Sequence, residues 1–423
     1  MDYQKIIDMM IADYNNKREL YECMNRYYLG DHDINYNYKK FRNRHYCIII
    51  DNFVNKFVNE EVQYALGNPL TYVSMTDDTS IADAVFSETF HWKDDHNQNV
   101  MRTLEIYGTA YLLNYVDNRG RFCERILSPA QAICYVDDND EPVIFIYFYK
   151  KKYENDQYRD IYYPDGTIET YRNNVLISRK SHIFNGVPVT VCELDKKEDT
   201  IFFKIKELQD GYNEILSDQC NTIADYRNAY LVVSGAKLDD DANKKLNENG
   251  IINIPGTGSS VKWMTKDMPD GYIQNMINNL KSAMYANTNH IDGNEKLQSN
   301  TSGTALRNRL VFLEQRCNLV LGIVVDAIYD RLSRLFEYLD VKGAHYDVKN
   351  IKVVASPSIP KDEIGTVQML SQLGIGQNIS LETALSLLPF VENPANEINK
   401  LNQERKNNKS IELDKIDDFS DFE

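Results

Sequence analysis

Asn287-Thr-Asn-His-Ile-Asp-Gly-Asn-Glu-Lys-Leu-Gln-Ser-Asn-Thr-Ser-Gly303 is a polar run without hydrophobic period, and the longest helical signal of the chain follows it directly. Leu306, Leu310, Leu313, Cys317, Val320 and Val324 recur at alternating four- and three-residue steps, which keeps one stripe on one helix face. The stripe continues through Ile328, Leu332, Leu335 and Leu339, and its two successive four-residue steps after Val324 shift the register like a coiled-coil stutter. Thr301 or Ser302 is placed to cap the start, and Gly343 lies just past the end. Thr304 to Asp340 as one helix spans roughly 55 Å at 1.5 Å per residue. Helices in globular domains average about 11–12 residues. Such a helix, entered from a bare polar loop, reads as a rigid spoke that carries the loop.

Working outward, the residues before this stretch alternate in character. Helices are expected over residues 3–30, 48–66 and 79–107, the second stopping at Gly67-Asn68-Pro69. Short β-branched and aromatic runs then follow from Tyr111 to Ser178, with Val189 to Leu194 expected to close them. Asn118-Arg119-Gly120, Asp137 to Asp140, Pro164-Asp165-Gly166 and Asn173-Asn174 separate these runs and predict an antiparallel meander. Helical period returns over 204–228 and 269–286. Between them lies a compact insert with strands at Tyr230–Val233, Ile251–Ile254 and Val261–Met264 and a short helix over 239–249. Beyond the long helix come one strand, Ile351 to Ala355, short helices near 361–373, 380–388 and 394–405, and an acidic tail. The fold class is α+β.

The 423 residues supply enough material for two to three domains, and 43% hydrophobic with 26% charged residues is ordinary for a folded soluble protein. The 29 tyrosines favour β-structure and broad amphipathic contacts. A net charge of −16 argues against a protein that grips duplex DNA by neutralising phosphates. The seven cysteines are odd in number and lack a C-x-x-C pair, so they read as reduced thiols of an intracellular protein. No secretory signal and no membrane-length apolar run is present, so a soluble cytoplasmic product is expected.

The search for chemistry finds nothing specific. Ile254-Pro-Gly-Thr-Gly-Ser-Ser260 lacks the lysine and spacing of a phosphate loop and reads as a turn. His91 and His96 lie about 140° apart on a helix, so with Asp95 they do not converge on a metal. Asp137 to Asp140 lacks the glycine and glutamate of a calcium loop. No catalytic triad, cofactor site or metal site is expected, and the chain reads as a non-enzyme.

Six segments, taken in order, carry a resemblance. They are Tyr27-Tyr28-Leu29-Gly30-Asp31, Asn55-Lys56-Phe57-Val58, Tyr64-Ala65-Leu66-Gly67-Asn68-Pro69, Tyr107-Gly108-Thr109-Ala110-Tyr111, Gly186-Val187-Pro188-Val189 and Ser302-Gly303-Thr304-Ala305-Leu306. In that order the chain resembles the portal proteins, or head–tail connectors, of tailed double-stranded DNA bacteriophages, of the siphophage type. The resemblance implies a dodecameric ring at one capsid vertex, assembled in the host cytoplasm, with DNA passing through its channel in packaging and ejection. It also implies a wing over residues 1–203, stem helices over 204–228 and 269–286, and a clip over 229–268 between them. A tunnel loop over 287–303, the long wing helix over 304–343, a wing strand over 344–360, a crown over 361–405 and a tail over 406–423 complete it.

The same resemblance places Asp292, Asn294, Glu295, Lys296, Gln298, Ser299, Asn300 and Thr301 on the channel. It assigns the clip the docking of the terminase packaging motor and the head–tail adaptor. Lys237, Lys244, Lys245, Lys262 and Lys266 concentrate positive charge there, either as plain solvated surface or for weak DNA steering. Further partners it implies are the major capsid and scaffolding proteins, with no membrane. Two other readings compete. A nuclease or packaging ATPase needs a carboxylate cluster or phosphate loop, and neither is visible; a non-portal structural protein of a head, tail or scaffold is not separable from a portal by periodicity.

Overall fold

The computed structural model describes residues 3–38, 46–76, 79–195, 199–226, 230–234, 260–264, 270–292, 303–356, 370–372, 379–386, 397–398 and 400–402. The chain divides into two units, Met1–Leu297 with Asn308–Pro357, and Gln298–Arg307 with Ser358–Glu423. In the second, Leu370 and Ala384 are buried, the latter on a short helix, Leu381–Ser386. The expected helices over 361–373 and 394–405, the helix over 239–249, the strand over 251–254 and the tail fall largely or wholly outside the described residues.

The first unit opens with α1 (Tyr3–Leu29) and α2 (Ile34–Asn37). The next helix, α3 (Phe53–Leu66), starts at Phe53 and not near residue 48. The reason is a ladder of side chains on α6 (Ile201–Tyr226). The backbone N–H groups of Cys47, Ile49, Asp51 and Phe53 donate to Asn221 Oδ1, Ser217 Oγ, Asn213 Oδ1 and Gln209 Oε1 at 2.9–3.1 Å. Every second residue of an extended strap meets every fourth residue of a helix. The periods match because two extended residues rise about 6.6 Å and four helical ones about 6 Å. Amides committed to that ladder are unavailable to a helix, and Asn52 then caps α3 through Asn55 N.

The helix expected over 79–107 is two, α4 (Ser80–Thr89) and α5 (His96–Tyr107). Trp92 breaks it by turning inward, its indole stacked on Phe122 and its Nε1 donating to Phe122 O. Gly108, at φ +73°, ends α5 and lets the chain enter the sheet directly.

The β-region is two sheets rather than one meander. β2 (Thr109–Val116) is central between β3 (Phe122–Leu127) and β9 (Val189–Glu193). Five strands, β4 (Ala132–Val136), β5 (Pro142–Lys150), β6 (Gln157–Tyr162), β7 (Thr167–Arg172) and β8 (Val175–Ser181), form the second sheet in sequence order. The turns are set by their side chains: Asp137 Oδ1 accepts the N–H groups of Asn139 and Glu141, and Asn173 and Asn174 both take positive φ. One face of this sheet packs Ile144, Ile146 and Ile161 against Ile7 and Met10 of α1. A strand absent from the sequence reading, β1 (Thr71–Ser74), pairs antiparallel with β12 (Ile351–Val354).

Two strands, β10 (Tyr230–Ser234) and β11 (Ser260–Met264), pair antiparallel between α6 and α7 (Asp270–Thr288). The inner faces of α6 and α7 join a core of Tyr27, Phe53, Phe57, Ile201, Phe202, Tyr212, Met284 and Tyr285. The long helix is one element, α8 (Gly303–Val341), of 39 residues. Leu313, Cys317, Val320, Val324, Ile328, Leu332, Leu335 and Leu339 are all buried, so the stripe holds through its register shift. Gly343, at φ +89°, ends it: Ala344 N donates to Leu339 O and Gly343 N to Asp340 O, which is a Schellman closure. No helix among the described residues is long and apolar enough to cross a membrane.

The ladder is directly testable. Asn213→Ala leaves the Asp51 N–H without its acceptor and strips a bond from the buried His32. It is expected to cost about 1–3 kcal/mol in urea unfolding. An unchanged midpoint would show that the strap is not held by these side chains.

Candidate functional site

The long helix buries charge as well as hydrocarbon. Arg331 is 2% exposed, yet it lies in the apolar stripe between Ile328 and Leu332. Its Nη2 and Nε donate to the Glu124 carboxylate of β3 at 2.6 and 2.8 Å, and its Nη1 donates to Asn97 Oδ1 at 2.8 Å. The guanidinium sits 5.1 Å from the Trp92 ring, so the residue that breaks α4 from α5 also covers the charge. His96 Nε2 and Asn114 Nδ2 occupy the remaining directions around Glu124 at 2.9 and 3.1 Å. Burial alone raises this carboxyl, but the charge of Arg331 and the bonds from His96 and Arg331 hold it down at about 2. His96 thus serves a buried carboxylate.

A second cluster lies roughly 22 Å along the axis at 1.5 Å per residue. Arg316 Nε donates to Glu61 Oε1 of α3 at 2.6 Å, and its Nη2 to Glu105 Oε2 of α5 at 2.9 Å. One guanidinium faces two buried carboxyls, and the outer oxygens Glu61 Oε2 and Glu105 Oε1 accept no hydrogen bond from another group among the described residues. Burial, then the neighbouring Glu105, push the Glu61 carboxyl well above its usual range, against the pull of Arg316. The pocket therefore keeps a proton that an exposed carboxyl loses. Arg334, five turns from Arg316, donates to Thr190 Oγ1 and Val189 O of β9. Three arginines tie one helix to α3, α5, β3 and β9.

The start of the polar loop is fastened at the same place. His290 stacks on Phe57 with centroids 4.2 Å apart, its Nδ1 2.9 Å from Thr288 O and its Nε2 3.3 Å from Phe57 O. Burial lowers its pKa to about 3, outweighing the two carbonyls that favour charge, so the ring is neutral at physiological pH. Asp292 pairs with Lys281 of α7 at 2.5 Å and is mostly covered.

Of the residues singled out in the sequence, Asp292 is therefore engaged within its own chain. Asn294, Glu295, Lys296, Gln298, Ser299, Asn300 and Thr301 lie outside the described residues, as do Lys237, Lys244, Lys245 and Lys266. Lys262 stands on β11 opposite Val232. The arginine clusters and His290 are absent from the sequence reading. Their signal was present: Arg331 interrupts an apolar stripe, and Glu61 falls three and four residues from Val58 and Phe57 on a buried face. Which carboxylate meets which arginine depends on partners some 200 residues apart, and no spacing reveals that.

The family model described as "Phage portal protein, SPP1 Gp6-like" matches residues 7–410. The portal protein of Bacillus phage SPP1 is 22% identical over 393 residues, covering 86% of this chain and 77% of that protein. A chain in the neck of an empty gene transfer agent particle superposes with a TM-score of 0.52 at 12% identity, over 80% of this chain and 90% of that one. A chain from the virion of the native gene transfer agent particle gives a TM-score of 0.49 at 12% identity, over 79% of this chain and 89% of that one.

The two clusters predict opposite pH responses. Glu124 binds its proton less tightly folded than unfolded, so its stabilisation is present at neutral pH and is lost as pH falls toward about 2. Glu61 binds its proton more tightly folded, so its contribution is present in acid and is lost as pH rises through the raised value. Glu124→Gln, which strands the buried Arg331, is expected to cost about 3–5 kcal/mol at neutral pH. Glu61→Gln is expected to flatten the fall in stability as pH rises above the ordinary carboxylate range, and to leave the acid-side loss in place. Identical curves for both variants and the parent would contradict these assignments.

Proposed function

The chain belongs to the SPP1 Gp6-like phage portal proteins, structural components of the virion, and from that premise we propose that its copies close into a dodecameric ring at one capsid vertex. Double-stranded DNA passes through the ring in packaging and ejection without sequence-specific contacts. In this reading α6 and α7 are stem helices lining the channel, and β10 and β11 belong to a clip that docks the terminase packaging motor and later the head–tail adaptor. The helices and sheets before residue 204, with β12, form a wing toward the capsid and scaffolding proteins. The long helix is a spoke within it.

The observation that carries the ring is apolar surface left over once the chain's own core is filled. Phe312 and Leu319 on the long helix are 64% and 76% exposed, and Tyr272 on α7 is 70% exposed. Helices with one face buried and further large apolar groups in solvent suit a heterologous interface, which closes into a ring when the rotation allows. A net charge of −16 favours sliding over gripping, because each phosphate contact would hold the passing duplex.

The loop over 287–303 acts in this reading as a collar on the passing DNA. Its root is rigid through His290 and Asp292, while the stretch beyond carries few charges. Deleting Asn294 to Gln298 is expected to leave ring assembly intact and to lower the amount of DNA packaged or retained in particles. Full packaging and retention by the deleted protein would remove the collar, and loss of rings would make the loop structural.

A further inference from the structure

The strap along α6 brings two thiols together. Asn221 grips Cys47 from both sides, its Oδ1 accepting from Cys47 N at 2.9 Å and its Nδ2 donating to Cys47 O at 2.8 Å. Cys220 is adjacent to Asn221 and three residues beyond Ser217, so it shares the helix face that carries the ladder. The Cys47 thiol beside it is the first cause of a raised Cys220 pKa. Neither is in a disulfide; Cys47 is exposed and Cys220 half-buried. Of the other cysteines, Cys192 and Cys317 are buried, Cys23 and Cys123 are half-buried, and burial pushes the Cys134 thiol up to about 12.

We propose that Cys47 and Cys220 are a redox latch, two thiols that close into an intrachain disulfide when the assembled protein meets a small-molecule disulfide. The exposed Cys47 thiolate attacks one sulfur of the reagent, forming a mixed disulfide and releasing one thiol. Cys220 then loses its proton to solvent and attacks Cys47 Sγ, expelling the second thiol. Two protein thiols are oxidised by two electrons and one reagent disulfide is reduced to two thiols, so the exchange balances. Cys47 is the more exposed thiol and takes the first step, and Cys220, its pKa raised by Cys47 beside it, takes the second, resolving step.

The ladder holds the Cys47 backbone on the side chain of Asn221, the residue next to Cys220, so closure calls mainly for rotation of the two cysteine side chains. The effect is local. A strap held by hydrogen bonds becomes covalently fixed to α6 near its C-terminal end, and the chain between the two cysteines becomes a closed loop in the unfolded state. Reducing cytoplasm keeps the latch open, and an oxidising exterior closes it. Both thiols belong to one chain, so the inference does not depend on the ring.

The test uses the assembled full-length protein incubated with oxidised glutathione, alkylated, and digested without reduction. Peptide mass spectrometry is expected to find Cys47 joined to Cys220 in a chain of monomer mobility, and the joined peptide is expected to vanish in Cys47→Ser and in Cys220→Ser. The oxidised parent is expected to melt several degrees above its reduced form, with no such rise in either serine variant. Separate glutathione adducts or free thiols at both positions, a bridge between chains, or no difference in melting would each overturn the latch.

Discussion

A guanidinium with almost no exposure to water must have its carboxylate, and that requirement holds the long helix where it is. Removing one partner from such a buried pair costs several kcal/mol, whereas an apolar replacement of both is often neutral or better. The Arg331–Glu124 pair is therefore better understood as a device for position than as a source of stability. An apolar stripe with a register shift tolerates sliding, because leucine packs against leucine one turn along nearly as well. Arg331 on Glu124, Arg316 between Glu61 and Glu105, and Arg334 on Thr190 leave no second register that satisfies all three.

The same logic runs through the helical block. Gln209, Asn213, Ser217 and Asn221 give α6 a polar face that reads backbone and not side chains, so the strap of residues 46–53 is set in one register along it. Phe53 and Phe57 then enter the core beside Tyr285, and His290 stacks on Phe57 where α7 releases the chain into the polar loop. The root of that loop is thus fixed to α3 and α7. A moving polymer touching the loop would push against a framework held by buried ionic and aromatic contacts.

Much of this was legible in the sequence. The long helix, its stripe and its terminal glycine follow from local period and capping chemistry, which act within a few residues. The turns at Asp137 and at Asn173-Asn174 follow from side chains that bond their own backbone. The failures have one cause. The start of α3, the break at Trp92, the split into two sheets and the β1–β12 pair are all decided by distant partners. In the site, the polar run was visible in the sequence, but the fastening of His290 and the pairing of Asp292 with Lys281 were not, since Phe57 and Lys281 lie outside that run.

The central claim is that this scaffold repeats around a channel. Electron microscopy of the purified full-length protein in near-physiological salt tests it most directly. The account predicts closed rings with a central hole, and masses near twelve times the 49.1 kDa chain. A population of monomers or of open filaments at micromolar concentration would contradict it.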